Sequence, residues 1–459
     1  RVRKAGSSAT VHNTFNDYGA QYLYGIPKQD QSLEEVEELL LEQIELVKAG
    51  AFEDWIIPAI VTDFKKKSKK DLESNAGRVK LMRNAFLRYE KWDHARRRID
   101  RMGRLRKKHI VKVARKYFKD NYVVGYSRDG EPELPSIPKP AIEPIDIDPG
   151  RQSDFAEEIL AMPHDTVEPV FIIPGRDYVS RELLNGVHLS YVRNPLNDLF
   201  EFSIEVDLGT IDDPRLTVAA EFFDKSGTPE FDGDELKKQW YRLGTDFSIG
   251  AGDNRTFVSM SGLDENLEPS LALLMGYLRQ PVAADSTLEQ LKRIILARRE
   301  DSLKDHRAIF TALYRFNRQG EMSEYRRLLS NEELEAVTVS ELHDLISSLL
   351  GYRHSVSYAG SLNIEEVQVM LGKHYVLRED SLVAPPPFTP IPTRRPESTE
   401  IYFFDKEMAQ AFVRIESASN VYSELRRPFI QLYDEYFYGG MAGIVFQEMR
   451  EARALAYSA

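Results

Sequence analysis

Between Asp212 and Thr228 the sequence reads DDPRLTVAAEFFDKSGT, and this segment organises our interpretation of the whole chain. It predicts a short helix over residues 213–226. Asp213 is a residue type that caps helices, Pro214 suits a first turn, and Gly227 is a typical stop. Apolar residues recur at i, i+3, i+4 and i+7, which predicts a stripe facing a core: Leu216, Ala219, Ala220 and Phe223.

A second face of the predicted helix carries Val218, Glu221 and Phe222. Upstream, residues 186–192 and 200–209 alternate between apolar and polar side chains, which is typical of half-buried strands. A short turn rich in asparagine and proline joins them. We therefore expect a β-hairpin that leads directly into the helix.

This order of elements resembles the pitrilysin/insulinase-type zinc metallopeptidases, also called inverzincins. Their active helix carries the pattern His-x-x-Glu-His ahead of a Gly-Thr pair, and Gly227 and Thr228 match that pair here. In this alignment Val218 and Phe222 stand where the two histidines would be, and Glu221 stands where the glutamate would be. The chain therefore resembles the half of a tandem two-half peptidase that has lost its zinc ligands.

The degenerate zinc-motif positions predict that this chain binds no metal. Zinc needs nitrogen, sulfur or oxygen donors, and the side chains of Val218 and Phe222 offer none. Two interpretations of Glu221 stay open: a capping or surface carboxylate left from the motif, or a surviving catalytic base. We interpret the helix as structural and expect no catalytic residue in this chain alone. The nine histidines also include no pair at the four-residue spacing of helical metal sites.

Composition excludes several classes of protein. The chain has 459 residues and a formal charge of −12, which argues against general binding to nucleic acid. Two segments, Lys65–Lys70 and Arg96–Lys108, are nevertheless basic, and they are either solvated helix faces or contacts for RNA or an anionic surface. The absence of cysteine excludes disulfides and thiolate chemistry. No segment approaches the ~20 apolar residues of a membrane span.

The layout predicts an α+β fold of repeated peptidase-like domains, each an antiparallel sheet packed with helices. We divide the chain into the C-terminal part of a second domain (1–131), a proline-rich linker (132–175), a third domain without zinc ligands (176–384) and the start of a fourth (385–459). Capping boxes at Ser32, Ser286 and Thr338 predict helix starts. Strand-like segments are expected at 122–126, 186–192, 200–209, 246–250, 255–263, 355–360, 400–404 and 410–415. Tyr126 and Tyr358 would then occupy equivalent strands of one repeated unit.

The last segment of the chain contains the pattern Arg450-Glu451-x-x-Ala454-Leu455-Ala456-Tyr457-Ser458 after a Gly-Gly loop. It closely resembles the same peptidase family, in which the matching arginine and tyrosine reach the zinc site of the other half. The resemblance implies that Arg450 and Tyr457 hold substrate and stabilise an oxyanion. Alternatively, Arg450 pairs with Glu448 or Glu451 and Tyr457 is buried. Ala454 replaces the usual glycine.

The resemblance as a whole implies a fragment of a zinc metalloendopeptidase that encloses peptides in a chamber. The partners would be the N-terminal catalytic half, which would carry the zinc, and a peptide substrate. The alternative is a non-catalytic scaffold or peptide-binding subunit with a peptidase-like fold. The chain does not begin with methionine, and we expect it to be part of a longer protein. Relatives in Gram-negative bacteria are often periplasmic, which suggests that location by analogy.

Overall fold

The structure is a computed structural model that describes residues 4–9, 21–28, 30–128, 130, 152–163, 165–183, 186–375, 382–407, 411–417, 423–453 and 455. The chain forms two compact units. The first comprises Arg1–Leu291 and Glu332–Phe388, and the second comprises Lys292–Asn331 and Thr389–Ala459. One boundary falls inside the second proline run, after Phe388. The proline-rich segment 132–149 lies outside the described residues, and the four-part division stays a prediction.

The N-terminal part of the first unit is mainly helical. Its elements are β1 (Lys4–Ala9), β2 (Gln21–Ile26), α1 (Leu33–Ala49), α2 (Ile56–Asp71), α3 (Asn75–Leu87), α4 (Trp92–Arg96), α5 (Arg98–Met102), α6 (Lys107–Tyr117) and α7 (Asp154–Ala161). β1 and β2 pair antiparallel. Ser32 and Glu35 form the predicted capping box at the start of α1, and Gly50 ends the helix in the left-handed region at φ +72°.

A six-stranded sheet dominates the rest of the first unit. The elements that follow α7 along the chain are β3 (Val179–Glu182), β4 (His188–Arg193), β5 (Leu199–Val206), α8 (Arg215–Phe223), α9 (Gly233–Leu243), β6 (Asp246–Ala251), β7 (Thr256–Leu263), α10 (Leu267–Arg279), α11 (Asp285–Lys304), α12 (His306–Gln319), α13 (Asn331–Ala336), α14 (Val339–Ser348), β8 (His354–Gly360), α15 (Ile364–His374) and α16 (Arg427–Tyr438). Helices α12 and α16 belong to the second unit. Helix α8 packs on β6, and α10 packs on β7. The predicted mixture of a sheet with packed helices is confirmed. Thr338 caps α14 as expected, whereas α11 begins at Asp285, so Ser286 lies inside that helix.

The expected hairpin of β4 and β5 is wrong. The strand order is β3-β4-β8-β5-β7-β6, so β8 lies between the two strands. It pairs parallel with β4 and antiparallel with β5, and the other neighbouring strands are antiparallel. Residues 194–198 therefore cross two strand spacings, about 10 Å, which five residues can span. Alternating side chains predicted both strands correctly but carried no information on which strands pair.

Three further strands that the sequence predicts are not formed. Residues 122–126 have no ladder partner among the described residues, and Val123 is 97% exposed. Tyr126 is also exposed whereas Tyr358 is buried in β8, so their proposed equivalence is wrong. In the second unit, residues 401–407 and 411–417 belong to no strand ladder among the residues that the structure describes. Gln410 itself lies outside the described residues.

Aromatic packing on α12 replaces the strand pairing expected in the second unit. The ring of Tyr402 meets Phe316 edge-on with centroids 5.6 Å apart, and Phe412 stacks on His306 at 5.2 Å. These side chains belong to the alternating segments that resembled strands. Alternating apolar and polar residues thus indicate that a segment has one apolar face. That face can pack on a helix as well as on a sheet.

Ion pairs occupy the basic segment Lys65–Lys70 on α2. Lys66 is buried, and its Nζ lies 2.7 Å from Asp246 Oδ2 on β6. Lys70 Nζ lies 2.5 Å from Glu201 Oε1 on β5. The segment is therefore not simply a solvated helix face, because it joins α2 to acidic residues of the sheet. Within the part of the chain that the structure describes, no helix combines the length and apolar character needed to cross a membrane.

A buried histidine makes the stability of the first unit dependent on pH. His354 Nδ1 lies 2.5 Å from the Tyr352 carbonyl, to which it donates, and Nε2 accepts from the Tyr375 hydroxyl. Burial lowers the pKa of His354, although the Tyr352 carbonyl opposes the shift. The unfolded chain therefore takes up a proton near pH 6.5, where the folded chain does not.

We expect the free energy of unfolding to fall as the pH drops below about 6.5, with a slope approaching 1.4 kcal/mol per pH unit from this residue. Urea denaturation at pH 7.5, 6.5 and 5.5 measures the slope. The variant His354→Gln should lose most of that contribution. Equal slopes in the two proteins would contradict the assignment.

Candidate functional site

Helix α8 begins at an aspartate–arginine pair. Asp213 Oδ1 accepts from the Arg215 backbone N–H at 2.9 Å, and the Arg215 guanidinium grips the same carboxylate at 2.7 to 3.2 Å. Burial would raise the pKa of the Asp213 carboxyl, but the hydrogen bonds from Arg215 outweigh burial and lower it. The acidic residue before Pro214 thus satisfies the helix start as the sequence predicts.

Helix α8 is shorter than predicted, since it covers Arg215–Phe223 instead of residues 213–226. Gly227 does not stop the helix; it pairs with Val282, with N–H···O distances of 2.7 and 2.9 Å in the two directions. A Cβ at Gly227 would lie 2.1 Å from the Phe231 carbonyl oxygen. Glycine is therefore required there by the close approach of two backbone segments.

The predicted core stripe of α8 is buried, because Leu216, Ala219, Ala220 and Phe223 are each at most 6% exposed. The Phe223 ring stacks on Tyr277 of α10 with centroids 3.9 Å apart. The Tyr277 hydroxyl donates to the Phe223 carbonyl and, at 3.0 Å, lies close to the Ser226 carbonyl. This stripe holds α8 against the rest of the unit.

The second face of α8 is also covered by protein. Val218 is 5% exposed and Phe222 is fully buried, while Glu221 is partly exposed. Helix α14 packs on α8 and places the His343 ring on the Phe222 ring, with centroids 5.2 Å apart and an interplanar angle of 23°. Phe222 therefore serves a helix–helix contact, and Val218 is buried on the same face of α8.

Ser226 and His343 complete this contact, and sequence reasoning missed both. The Ser226 hydroxyl donates to the Phe222 carbonyl at 3.0 Å, and His343 Nε2 lies 3.1 Å from the Ser226 hydroxyl oxygen. Because a hydroxyl has one proton, His343 must be the donor to Ser226. Burial lowers the pKa of His343, which favours the neutral ring that stacks on Phe222. The capping box at Thr338 predicted the start of α14. The sequence contained no signal that α14 would pack on α8.

The donor set around α8 does not suit a zinc ion. Valine and phenylalanine side chains cannot coordinate a metal, and His343 Nε2 is engaged with Ser226. Among the described residues, no three histidine, aspartate or glutamate side chains come together in a way that could hold a metal ion. Glu221 stands on the partly exposed edge of this face.

Arg450 lies in the second unit, in a short π-helix over Phe446–Glu451. Its Nε is 3.4 Å from Glu451 Oε1, and its guanidinium lies over the Phe446 ring at 4.7 Å. Its side chain is 36% exposed. Tyr457 lies outside the described residues, as does Ala454. The structure therefore describes one of the two predicted substrate-contact residues, and that residue has the acidic neighbour named in the alternative interpretation.

Comparisons with known proteins were made by sequence and by structure. No protein-family model and no curated protein sequence matches the chain. Similar solved structures include a peptidase M16 inactive domain from Pseudomonas fluorescens, with 14% identity and a TM-score of 0.44, covering 61% of this chain and 69% of that one. A protease from Helicobacter pylori has 15% identity and a TM-score of 0.43, covering 61% and 70%.

The periplasmic protease PqqL from Escherichia coli is also similar, with 13% identity and a TM-score of 0.41. The match covers 49% of this chain but only 26% of PqqL, so this chain spans a small part of that protein. The structural neighbours of this chain thus include a peptidase M16 inactive domain and a periplasmic protease, each at low sequence identity.

Proposed function

We propose that this chain is the half of a two-half zinc endopeptidase that binds no metal and contributes contacts to peptide substrate. The observation that carries the proposal is the second face of α8, where Val218 and Phe222 stand at the positions aligned with the motif histidines, both are buried, and Phe222 packs against α14. A hydrolytic zinc site needs three protein ligands and an open position for water. A face filled by a neighbouring helix supplies neither.

The metal and the general base would then belong to the partner half. Peptide hydrolysis also needs donors for the negative charge that develops on the scissile carbonyl oxygen. A guanidinium offers fixed, permanently charged N–H groups, and a phenol offers one directional O–H. We assign these roles to Arg450 and Tyr457 on the family pattern that the terminal motif matches. A periplasmic location stays a prediction.

This chain alone is expected to contain no stoichiometric zinc and to hydrolyse no fluorogenic peptide. Elemental analysis by mass spectrometry measures the zinc, and fluorescence measures turnover. One equivalent of zinc with turnover that chelators abolish would overturn the proposal, because it would place a catalytic site within this chain.

In the intact protein that contains this chain, Arg450→Lys is expected to lower kcat/KM by about 100-fold while zinc content stays unchanged. Lysine keeps the charge but loses the planar fork of donors. The matched control is Arg453→Lys, three residues away, because Arg453 is exposed and paired with Glu448. Equal activity of the Arg450 variant and the control would contradict the role of Arg450.

The alternative is a non-catalytic subunit that binds peptides, and the same buried face of α8 is compatible with it. The two functions differ in the intact protein. A peptidase turns over bound peptide and loses activity when zinc is chelated, whereas a binding subunit retains peptide unchanged under both conditions. Peptide binding without turnover in the zinc-loaded intact protein would favour the subunit.

A further inference from the structure

A strongly basic segment in the first unit is not explained by the proposed function. Residues 91–119 contain thirteen lysines and arginines and only two aspartates, a formal charge of +11. The whole chain carries −12, so the remainder carries −23. The basic segment forms α4, α5 and α6. Unlike the lysines of α2, its central lysines face a cleft and not the sheet.

The cleft lies between the C-terminal end of α1 and one side of α6, and its volume is about 550 Å³. We call it the α1–α6 cleft; it is lined by Ala49, Gly50, Lys107, Lys108, Val111, Lys112 and Arg115. Its described lining contains four cations and no acidic side chain. Ala49, Gly50 and Val111 give it an apolar floor.

Two of the four cations are already engaged with the end of α1. Arg115 Nε donates to the Lys48 carbonyl at 2.8 Å, and Lys107 Nζ donates to the Phe52 carbonyl and lies 3.1 Å from Asp54. Lys108 and Lys112 are exposed and have no carboxylate partner among the described residues. These two lysines are therefore available to a ligand.

We propose that the α1–α6 cleft binds a short acidic peptide segment with an apolar residue among its carboxylates. Lys108 and Lys112 are four residues apart on α6, about 6 Å along the helix axis. Carboxylates two residues apart in an extended peptide are separated by nearly the same distance, about 7 Å. Successive side chains of an extended peptide alternate between its two sides, so an apolar residue next to these carboxylates can contact the apolar part of the lining while the carboxylates contact the lysines. This inference is independent of the proposed function.

Size and charge favour a peptide over larger anions. From Lys108 to Arg115 the cleft runs about 10 Å, or three residues of extended chain. A nucleic acid of more than a few nucleotides would extend beyond the four cations that line the cleft.

The test is fluorescence anisotropy with a labelled Glu-Glu-Leu-Glu-Glu peptide at low and high salt. The reference probes are the Gln-Gln-Leu-Gln-Gln peptide, a pentathymidylate of equal charge, and vesicles containing phosphatidylserine. We expect saturable binding of the acidic peptide at least about tenfold tighter than of each reference, weakening as salt rises. Equal or tighter binding of the oligonucleotide or the vesicles, or no saturable binding of the peptide, would overturn the proposal.

Charge reversal locates the site. Lys108→Glu/Lys112→Glu should weaken peptide binding at least about tenfold, and the milder Lys108→Gln/Lys112→Gln should weaken it less. The matched control is Lys80→Glu/Arg83→Glu on exposed positions of α3, outside the cleft, with the same change in net charge. We expect the control to stay within about twofold. A loss in the control equal to that in the cleft variant would show that total charge, and not this cleft, determines binding.

Discussion

Replacing Phe222 by alanine is expected to lower the free energy of unfolding of the first unit by about 4 kcal/mol, the range for truncating a buried aromatic side chain. Phe222 is fully buried and stacks on His343 of α14, so truncation leaves a cavity between two packed helices. The His343 ring, which hydrogen-bonds Ser226, also loses the aromatic ring on which it stacks. Urea denaturation monitored by circular dichroism measures the change.

The matched comparison is Glu221→Ala, one residue away on the same helix. Glu221 is partly exposed, and we expect its truncation to change the free energy of unfolding by less than about 1 kcal/mol. Phe222→Ala should cost more than Glu221→Ala because Phe222 packs against α14 whereas Glu221 is partly exposed. If Glu221→Ala were the more damaging change, α8 would retain a polar site that the packing does not explain.

Replacing Asp264 by alanine is expected to cost about 3 kcal/mol. Asp264 follows β7 and is 7% exposed. Its carboxylate accepts from the Tyr358 hydroxyl at 2.7 Å and from the backbone and side chain of Ser361 at 2.7 and 2.6 Å. Without the carboxylate, these donors lose their acceptor inside the protein, and each unsatisfied buried group costs about 1 to 3 kcal/mol.

The neighbouring Glu265→Ala serves as the control, because Glu265 is exposed and lies 3.5 Å from Lys65 in a surface ion pair. Such pairs contribute about 0 to 1 kcal/mol. Tyr358→Phe should fall between the two, since it removes one donor and leaves the acceptor in place. Similar unfolding midpoints for Asp264→Ala and Glu265→Ala would contradict a structural role of the Asp264 network.

The helix starts at Ser32 and Thr338 were predictable because their signals are local, whereas the start expected at Ser286 was wrong. The Ser32 and Thr338 capping boxes form within four residues of chain, so the same hydrogen bonds arise whatever the helix packs against. The stripe Leu216, Ala219, Ala220 and Phe223 was predictable for a similar reason, since helical geometry places these residues on one face.

Strand pairing was not predictable from the same kind of evidence. β4 and β5 have the expected alternation, yet β8, about 150 residues later, lies between them. Residues 122–126 are rich in valine and tyrosine, which are typical of strands, but find no ladder partner among the described residues. A strand forms only when its backbone hydrogen-bonds to another segment. The sequence of one segment does not determine which other segment that is.

At α8, the sequence by itself determined that the two motif positions carry no metal donor, because valine and phenylalanine lack a lone pair to donate in any fold. Only the tertiary structure decided what these side chains do instead, which is to fill the contact with α14 and to bring His343 onto Phe222. That outcome depends on residues 121 positions apart in the chain, and packing between distant segments depends on the shape of the whole unit.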